Sequence, residues 1–327
     1  TGSNNTAVGS AALDANTTGS HNTALGKDAL TQNSTGSHNH GYGVSALKTN
    51  TTGVRNIAIG YDALGANTTA NDNIAIGHEA LKSNTTGTRN VAVGKGALDA
   101  NTTASSNTAV GDNALGVNTG SDNTAIGRSA LSDNTSGTRN VAVGALCLDA
   151  NTTGSDNTAI GDNALGACTT GVRNVAVGSA CMDDSVTGND NTAVGVSALG
   201  ELTSGSDNTA VGRAALLNNT TASYNTALGY QALQNNTTGS ANVAVGALCL
   251  DANTTASNNT AIGYEALTAN TTGYSLVAIG KGSLGANTTG DQNVAIGHNA
   301  LVLNTTADNN TAVGHHALFS NTSGTQN

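Results

Sequence analysis

The chain has 327 residues, a formal charge of −10, 42 Gly, no Pro or Trp, and only six Tyr and one Phe as aromatics. The acidic balance argues against nucleic acid as a partner, which requires a basic surface, and no run of eighteen apolar residues exists to span a membrane. Gly and polar content at this level is compatible with disorder, but the strict register of Val, Ile and Leu argues otherwise.

That register is a tandem repeat. A Gly following an apolar-Ala-apolar triplet recurs every seventeen residues, at Gly9, Gly26, Gly43, Gly60, Gly77, Gly94 and Gly111. After a one-residue deletion at Asn118-Thr119-Gly120 it continues from Gly127 to Gly314, making nineteen copies. Two before this Gly stands Ala in every copy except Gly41, and four after it Leu in every copy except Met182. Three after it stands Ala, replaced only by Cys147, Cys181, Cys249 and Ser283. Self-similarity at such a period is the mark of a one-dimensional array.

Within one copy, residues 56–72, the elements follow in order. Ile57-Ala58-Ile59 alternates as a strand does, with Ile57 and Ile59 on one face and Ala58 on the other. Gly60 permits a bend, and Ala63-Leu64 is expected to form a short second strand. Asn67-Thr68-Thr69-Ala70, usually N-T-T-G, is turn chemistry, with Asn and Gly supplying permissive backbone angles. Two strands and two turns per coil predict an all-β, parallel β-solenoid or β-roll of about nineteen 17-residue coils, a single continuous array over residues 1–327. At about 4.8 Å per coil the array would be a rod of roughly 90 Å. The chain starts and ends within a repeat, without polar caps, so it is expected to be a segment of a longer array; no signal peptide is visible.

The expected core is thin, with about three large apolar side chains per coil (Ile57, Ile59 and Leu64). The Ala column is the informative one. Ala58, Ala75, Ala92, Ala109 and Ala125 almost never give way to polar residues, whereas positions such as Tyr61 and Asp62 drift. Both strand faces are therefore expected to be packed, the Ala face against a second chain; the other possibility is that Ala fills a tight core within one chain. A second column reads Arg55, Asp72, Arg89 and then, past Ser106, Asp122, Arg139, Asp156, Arg173, Asp190. Stacked at the coil spacing, alternating signs attract and hold register.

The string N-V-A-V-G-K-G-A-L, residues 90–98, resembles the head repeat of trimeric autotransporter adhesins of the YadA type, and similar repeats occur in phage tail-fibre proteins. The resemblance covers essentially all the copies. It implies a β-roll, three chains side by side, and a bacterial surface. The coil here is longer than the adhesin pattern by its N-T-T-G turn, and the neck, coiled-coil stalk and membrane anchor of a complete autotransporter are missing from the sequence.

Catalytic and cofactor motifs find no foothold. No phosphate-loop G-x-x-x-x-G-K-[ST] occurs, and no Ser/His/Asp grouping or carboxylate pair stands out from the repeat. His21 and His38 share a column with His40 nearby, and His298 and His315 repeat the arrangement with His316 next. No Cys or carboxylate recurs to complete a shell, so no metal is expected. The four Cys read as small buried thiols standing in for Ala or, at Cys168, for a turn Asn. Fifteen N-T-T, N-S-T or N-T-S sequons, from Asn16 to Asn321, are explained by turn chemistry without sugar. Adjacent Thr columns such as Thr51-Thr52 and Thr68-Thr69 resemble ice-binding faces, although a regular strand would send neighbouring Thr to opposite sides.

The reading is a non-enzymatic, extracellular structural segment: adhesin head or shaft, phage tail fibre, or secreted filament. Its expected partners are copies of itself, as a trimer or filament, and a cell-surface or matrix receptor. The alternative is a monomeric solenoid binding ice or another periodic surface through its Thr columns.

Overall fold

A computed structural model describes residues 1–327. The chain is an all-β parallel solenoid of about nineteen coils of about seventeen residues, with no helix. The chain divides into two compact units, Thr1–Asn163 and Ala164–Asn327. The first carries ten three-residue strands, β1 (Thr6–Val8) to β10 (Thr158–Ile160), and the second nine, β11 (Val175–Val177) to β19 (Thr311–Val313). Within each unit every strand pairs in parallel with that of the next coil, residue on equivalent residue. Ile57 lies opposite Ile74, Ala58 opposite Ala75 and Ile59 opposite Ile76.

Backbone hydrogen bonds between coils extend well beyond the strands. Around Gly60, the N–H groups of Ile57, Leu64, Ala66 and Thr68 donate to the following coil, and those of Gly60, Asp62 and Asp72 to the preceding one. The deletion at residue 118 is absorbed wholly in its turn. There Asn118 Nδ2 reaches the carbonyl two residues on rather than three, and the strand register, Ala109 opposite Ala125, is kept.

Three expectations are corrected. The first concerns the inside of the coil. Ala58, Ala75, Ala92, Ala109 and Ala125 are fully buried within a single chain, whereas Ile57 is half-buried and Ile59 exposed. The Ala face is the core and the Val/Ile face looks outward. A three-residue strand closed on a tight coil leaves room on its inner side only for a methyl group beside the Leu from the turn, so the larger side chains take the outer side. The Ala column therefore cannot be a chain–chain interface.

Second, Ala63-Leu64 is not a strand. Both are buried, but they lie in a six-residue turn, and Leu64 has φ +51°. A left-handed Leu recurs in nearly every coil, from Leu13 to Leu318. A β-carbon in that region costs roughly 1–2 kcal/mol, while burying a Leu side chain stabilises by about 1.5–3 kcal/mol. Burial outweighs strain, which is why the column keeps Leu. Third, the Gly of N-T-T-G does not supply a left-handed angle. The left-handed residues are the Leu, the residue two before it and the residue before the repeat's Asn, as in Asp62, Leu64 and Asp72.

This geometry reverses the usual effect of Gly at exposed sites. Ala241 sits at φ +57° on the surface, and Gly96 and Gly282 already occupy left-handed positions. Replacing Ala241 by Gly relieves about 1–2 kcal/mol of strain against about 0.5–1 kcal/mol of added chain entropy. Ala241→Gly is thus expected to leave stability unchanged or raise it slightly in thermal unfolding, and a clear drop in the midpoint would contradict the assignment.

Candidate functional site

The surface feature built by the repeat is the outward face of the strands. The residue before each repeat Gly is Val, Ile or Leu in all but one coil, the exception being Tyr42. Stacking at the coil spacing covers each of these side chains above and below, yet Ile59 remains 39 %, Ile76 38 % and Val110 36 % exposed. Two residues earlier a parallel column alternates among Ile, Val and Thr (Ile57, Ile74, Val91, Thr108, Thr124, Val141), all half-buried. Each unit thus presents a partly exposed apolar column flanked by one in which Thr alternates with Val and Ile, where isolated exposed apolar residues would need no explanation.

Beneath this surface lie two columns of buried Asn. In the first, Asn56 donates from Nδ2 to the Ala70 carbonyl at 2.8 Å, and its Oδ1 accepts the backbone N–H of Asn73 at 3.0 Å. In the second, Asn67 donates from Nδ2 to Asn50 Oδ1 at 2.8 Å and to the same Ala70 carbonyl at 3.2 Å. Both columns are buried along nearly the whole chain. A buried amide must be paired, and a ladder pairs each one with its neighbours. The sequence signal was the Asn recurring before every strand but one; the exception is Leu276. Where the second ladder is broken by the shortened coil, Asn101 Oδ1 is left buried without a partner. In the first three coils of the second unit Cys168, Val186 and Leu202 replace this Asn.

The ladder also decides the sequons of the N-T-T column. The Asn67 amide nitrogen is buried and makes two hydrogen bonds, so a glycan cannot be attached to it in the folded chain. In most Thr pairs the first hydroxyl is committed to backbone; Thr51 Oγ1 donates to the Thr68 carbonyl and Thr85 Oγ1 to that of Thr102, both at 3.0 Å. The second Thr, as at Thr52 and Thr69, stays exposed.

The predicted charge column forms discrete pairs. Arg55 grips Asp72 through Nε at 2.6 Å and Nη2 at 2.9 Å, Arg139 grips Asp156 at 2.6 and 2.8 Å, and Arg173 grips Asp190 at 2.6 and 2.7 Å. Arg89 and Asp122 lie in the same column without such a bidentate partner. The Arg55 hydrogen bond holds the Asp72 carboxyl below the ordinary carboxylate range, and Arg173 does the same for Asp190. The contribution is present above the unfolded carboxylate pKa and is lost as pH falls through the lowered value. Because the pairs are exposed, they contribute little and are weakened by salt.

All four Cys are buried and free. Cys147 Sγ donates to the Ala159 carbonyl at 3.2 Å and Cys249 Sγ to that of Ala261 at 3.1 Å. Burial pushes the thiols of Cys147, Cys181 and Cys249 up to about 12 and that of Cys168 up to about 11. The native chain is accordingly expected to leave all four unlabelled by a soluble thiol reagent at pH 8, and the chain in denaturant to react at all four, read by mass spectrometry. Rapid labelling of the native chain at Cys147 would contradict this placement.

Six of the seven His residues gather at two places, and His78 stacks on Tyr61. His21 and His38 stack with ring centroids 4.8 Å apart, and His298, His315 and His316 form a group of three. No protein-family model matches the chain, and no curated protein is significantly similar to it.

Proposed function

We propose that this chain is a non-enzymatic structural segment of an extracellular fibre, in which copies pack side by side as a homotrimer through the outward apolar columns of their strands. The observation carrying this reading is the outward column of Val, Ile and Leu, exposed in most coils of each unit and half-buried in the others. Its period selects the occupant. A surface of different spacing falls out of step within a few coils, whereas another copy matches it at every coil. The resemblance of residues 90–98 to adhesin head repeats supports three chains, and with it the settings of an adhesin head or shaft, a phage tail fibre or a secreted filament. A receptor on a cell or matrix would then be met by the polar turns, which stay free in such a bundle. The acidic, hydrated surface keeps the assembly soluble. An ice-binding monomer is a weaker proposal, since folding spends one Thr hydroxyl of most pairs on backbone.

The test is to replace the stripe without touching the core. In the triple variant Ile76→Thr/Val93→Thr/Val110→Thr the new residues are ones the neighbouring outward column already tolerates, as at Thr108 and Thr124. With about a third of each side chain left for a partner to cover, each substitution removes at most about 1 kcal/mol per side chain. The variant is expected to sediment as a monomer, with the circular dichroism of the parent chain. A mass unchanged from that of the parent chain would refute the interface.

A further inference from the structure

Near the last strands three imidazoles converge on two adjacent coils. His298 follows Gly297 and β18 (Val294–Ile296); His315 and His316 follow Gly314 and β19. The backbone carrying them is tied coil to coil. Gly314 N–H donates to the Ile296 carbonyl at 2.7 Å and His316 N–H to the His298 carbonyl at 3.0 Å. Ring centroids lie 5.1 Å apart for His298–His315, 5.6 Å for His298–His316 and 4.0 Å for His315–His316. One nitrogen of each ring lies within 4.8 Å of the others, and all three side chains are exposed. Three imidazole nitrogens around a tetrahedral ion at about 2.0–2.1 Å stand roughly 3.4 Å apart. The rings stand stacked within 16–23° of parallel, so closing that difference requires them to unstack and turn one nitrogen each toward a common point, which their exposure permits.

We propose that His298, His315 and His316 form a surface site for one divalent ion of the zinc, nickel or copper class, with water completing the coordination. The donor chemistry makes the selection. Imidazole nitrogen suits late first-row metals, whereas calcium and magnesium require oxygen ligands that this group lacks. The nearest cation in the column, Lys281, reaches toward the Tyr264 ring in the coil below. Asn299 Nδ2 lies 3.5 Å from His316 Nε2. The His21–His38 pair lacks a third convergent donor, because His40 sits in a strand with its Nδ1 buried. The site lies on one chain and does not depend on the fibre reading.

The experiment is calorimetric titration of the full, untagged chain at pH 7.5 with zinc chloride and, separately, copper and calcium chloride. One zinc or copper ion per chain is expected to bind with micromolar affinity, and calcium not at all. Copper-loaded chain should show coupling to several nitrogens in its paramagnetic resonance spectrum. His315→Gln should weaken zinc binding at least about tenfold, as even the loss of an outer-shell partner does, while His38→Gln leaves it unchanged. These surface substitutions touch no core residue, so the variants remain folded. No saturable zinc binding up to about 1 mM, or loss of binding that follows His38→Gln, would overturn the proposal.

Discussion

Gly94→Ala is expected to destabilise the array by upwards of about 2 kcal/mol, whereas Gly87→Ala, seven residues earlier, changes it by less than about 1 kcal/mol. The sequence treats both columns as glycine-rich turns, but they differ physically. Gly94 has φ +140°, and a β-carbon there would stand 2.6 Å from the Gly111 carbonyl carbon and closer still to its oxygen. The obstacle is the backbone of the next coil, which is fixed by the ladder, and the backbone angle alone costs roughly 1–3 kcal/mol for any other residue. Gly87 has no left-handed angle. A β-carbon there also crowds a carbonyl, that of Ala104, yet Ala70, Ala104, Ala222, Ala256 and Ala307 occupy the same column and remain buried. The turn evidently gives way by the small amount needed. Thermal unfolding with hydrogen exchange on the flanking coils separates the two cases. Equal effects would mean that the two Gly columns are interchangeable, contrary to the geometry.

Asn73→Ala should cost about 2–4 kcal/mol, the second large effect. Asn73 Oδ1 accepts the Asn90 N–H at 2.9 Å and its Nδ2 donates to the Gly87 carbonyl at 2.9 Å. Truncation strands a buried N–H, at about 1–3 kcal/mol, and leaves a small void. The Gly87 carbonyl keeps a donor, Asn84 Nδ2 at 3.0 Å, so only one side of the bond pair is orphaned. The second ladder behaves differently, because both partners of each of its inter-coil bonds are Asn side chains. Replacing Asn67, Asn84 and Asn101 together by Leu removes donors and acceptors in step, as Cys168, Val186 and Leu202 do naturally. The triple variant is expected to cost less than the sum of its three single variants in denaturant unfolding. Strict additivity would contradict a ladder in which each amide answers the next.

Much of this architecture is legible in the residues themselves. The seventeen-residue period, the parallel solenoid class and the strand at Ile57-Ala58-Ile59 follow from recurrence and alternation. Which strand face points inward does not. Alternation separates Ala58 from Ile57 and Ile59, but the general preference for large side chains inside assigns them the wrong way round. The coil is too narrow for them, and width is a property of the closed turn. The left-handed Leu64 was equally hidden, since Leu carries no propensity for that region and adopts it only because burial repays the strain. The Asn ladders were half visible. Asn recurs before the strands with one exception, yet a single coil read alone shows turn chemistry; only stacking turns the same side chain into a buried rung. Of the His columns, the adjacency of His298, His315 and His316 could be read from the period, but the convergence of three rings required the fold.

The inverted faces move the expected interface from the Ala column to the Val/Ile column, so association between chains is the central claim. The most direct test is the solution mass of the untagged chain by sedimentation equilibrium over a range of concentrations. Three chains per particle, or a trimer that grows lengthwise, is the predicted result. A folded monomer of 31.9 kDa that does not change with concentration would contradict the account, leaving the apolar stripe without a second copy to cover it.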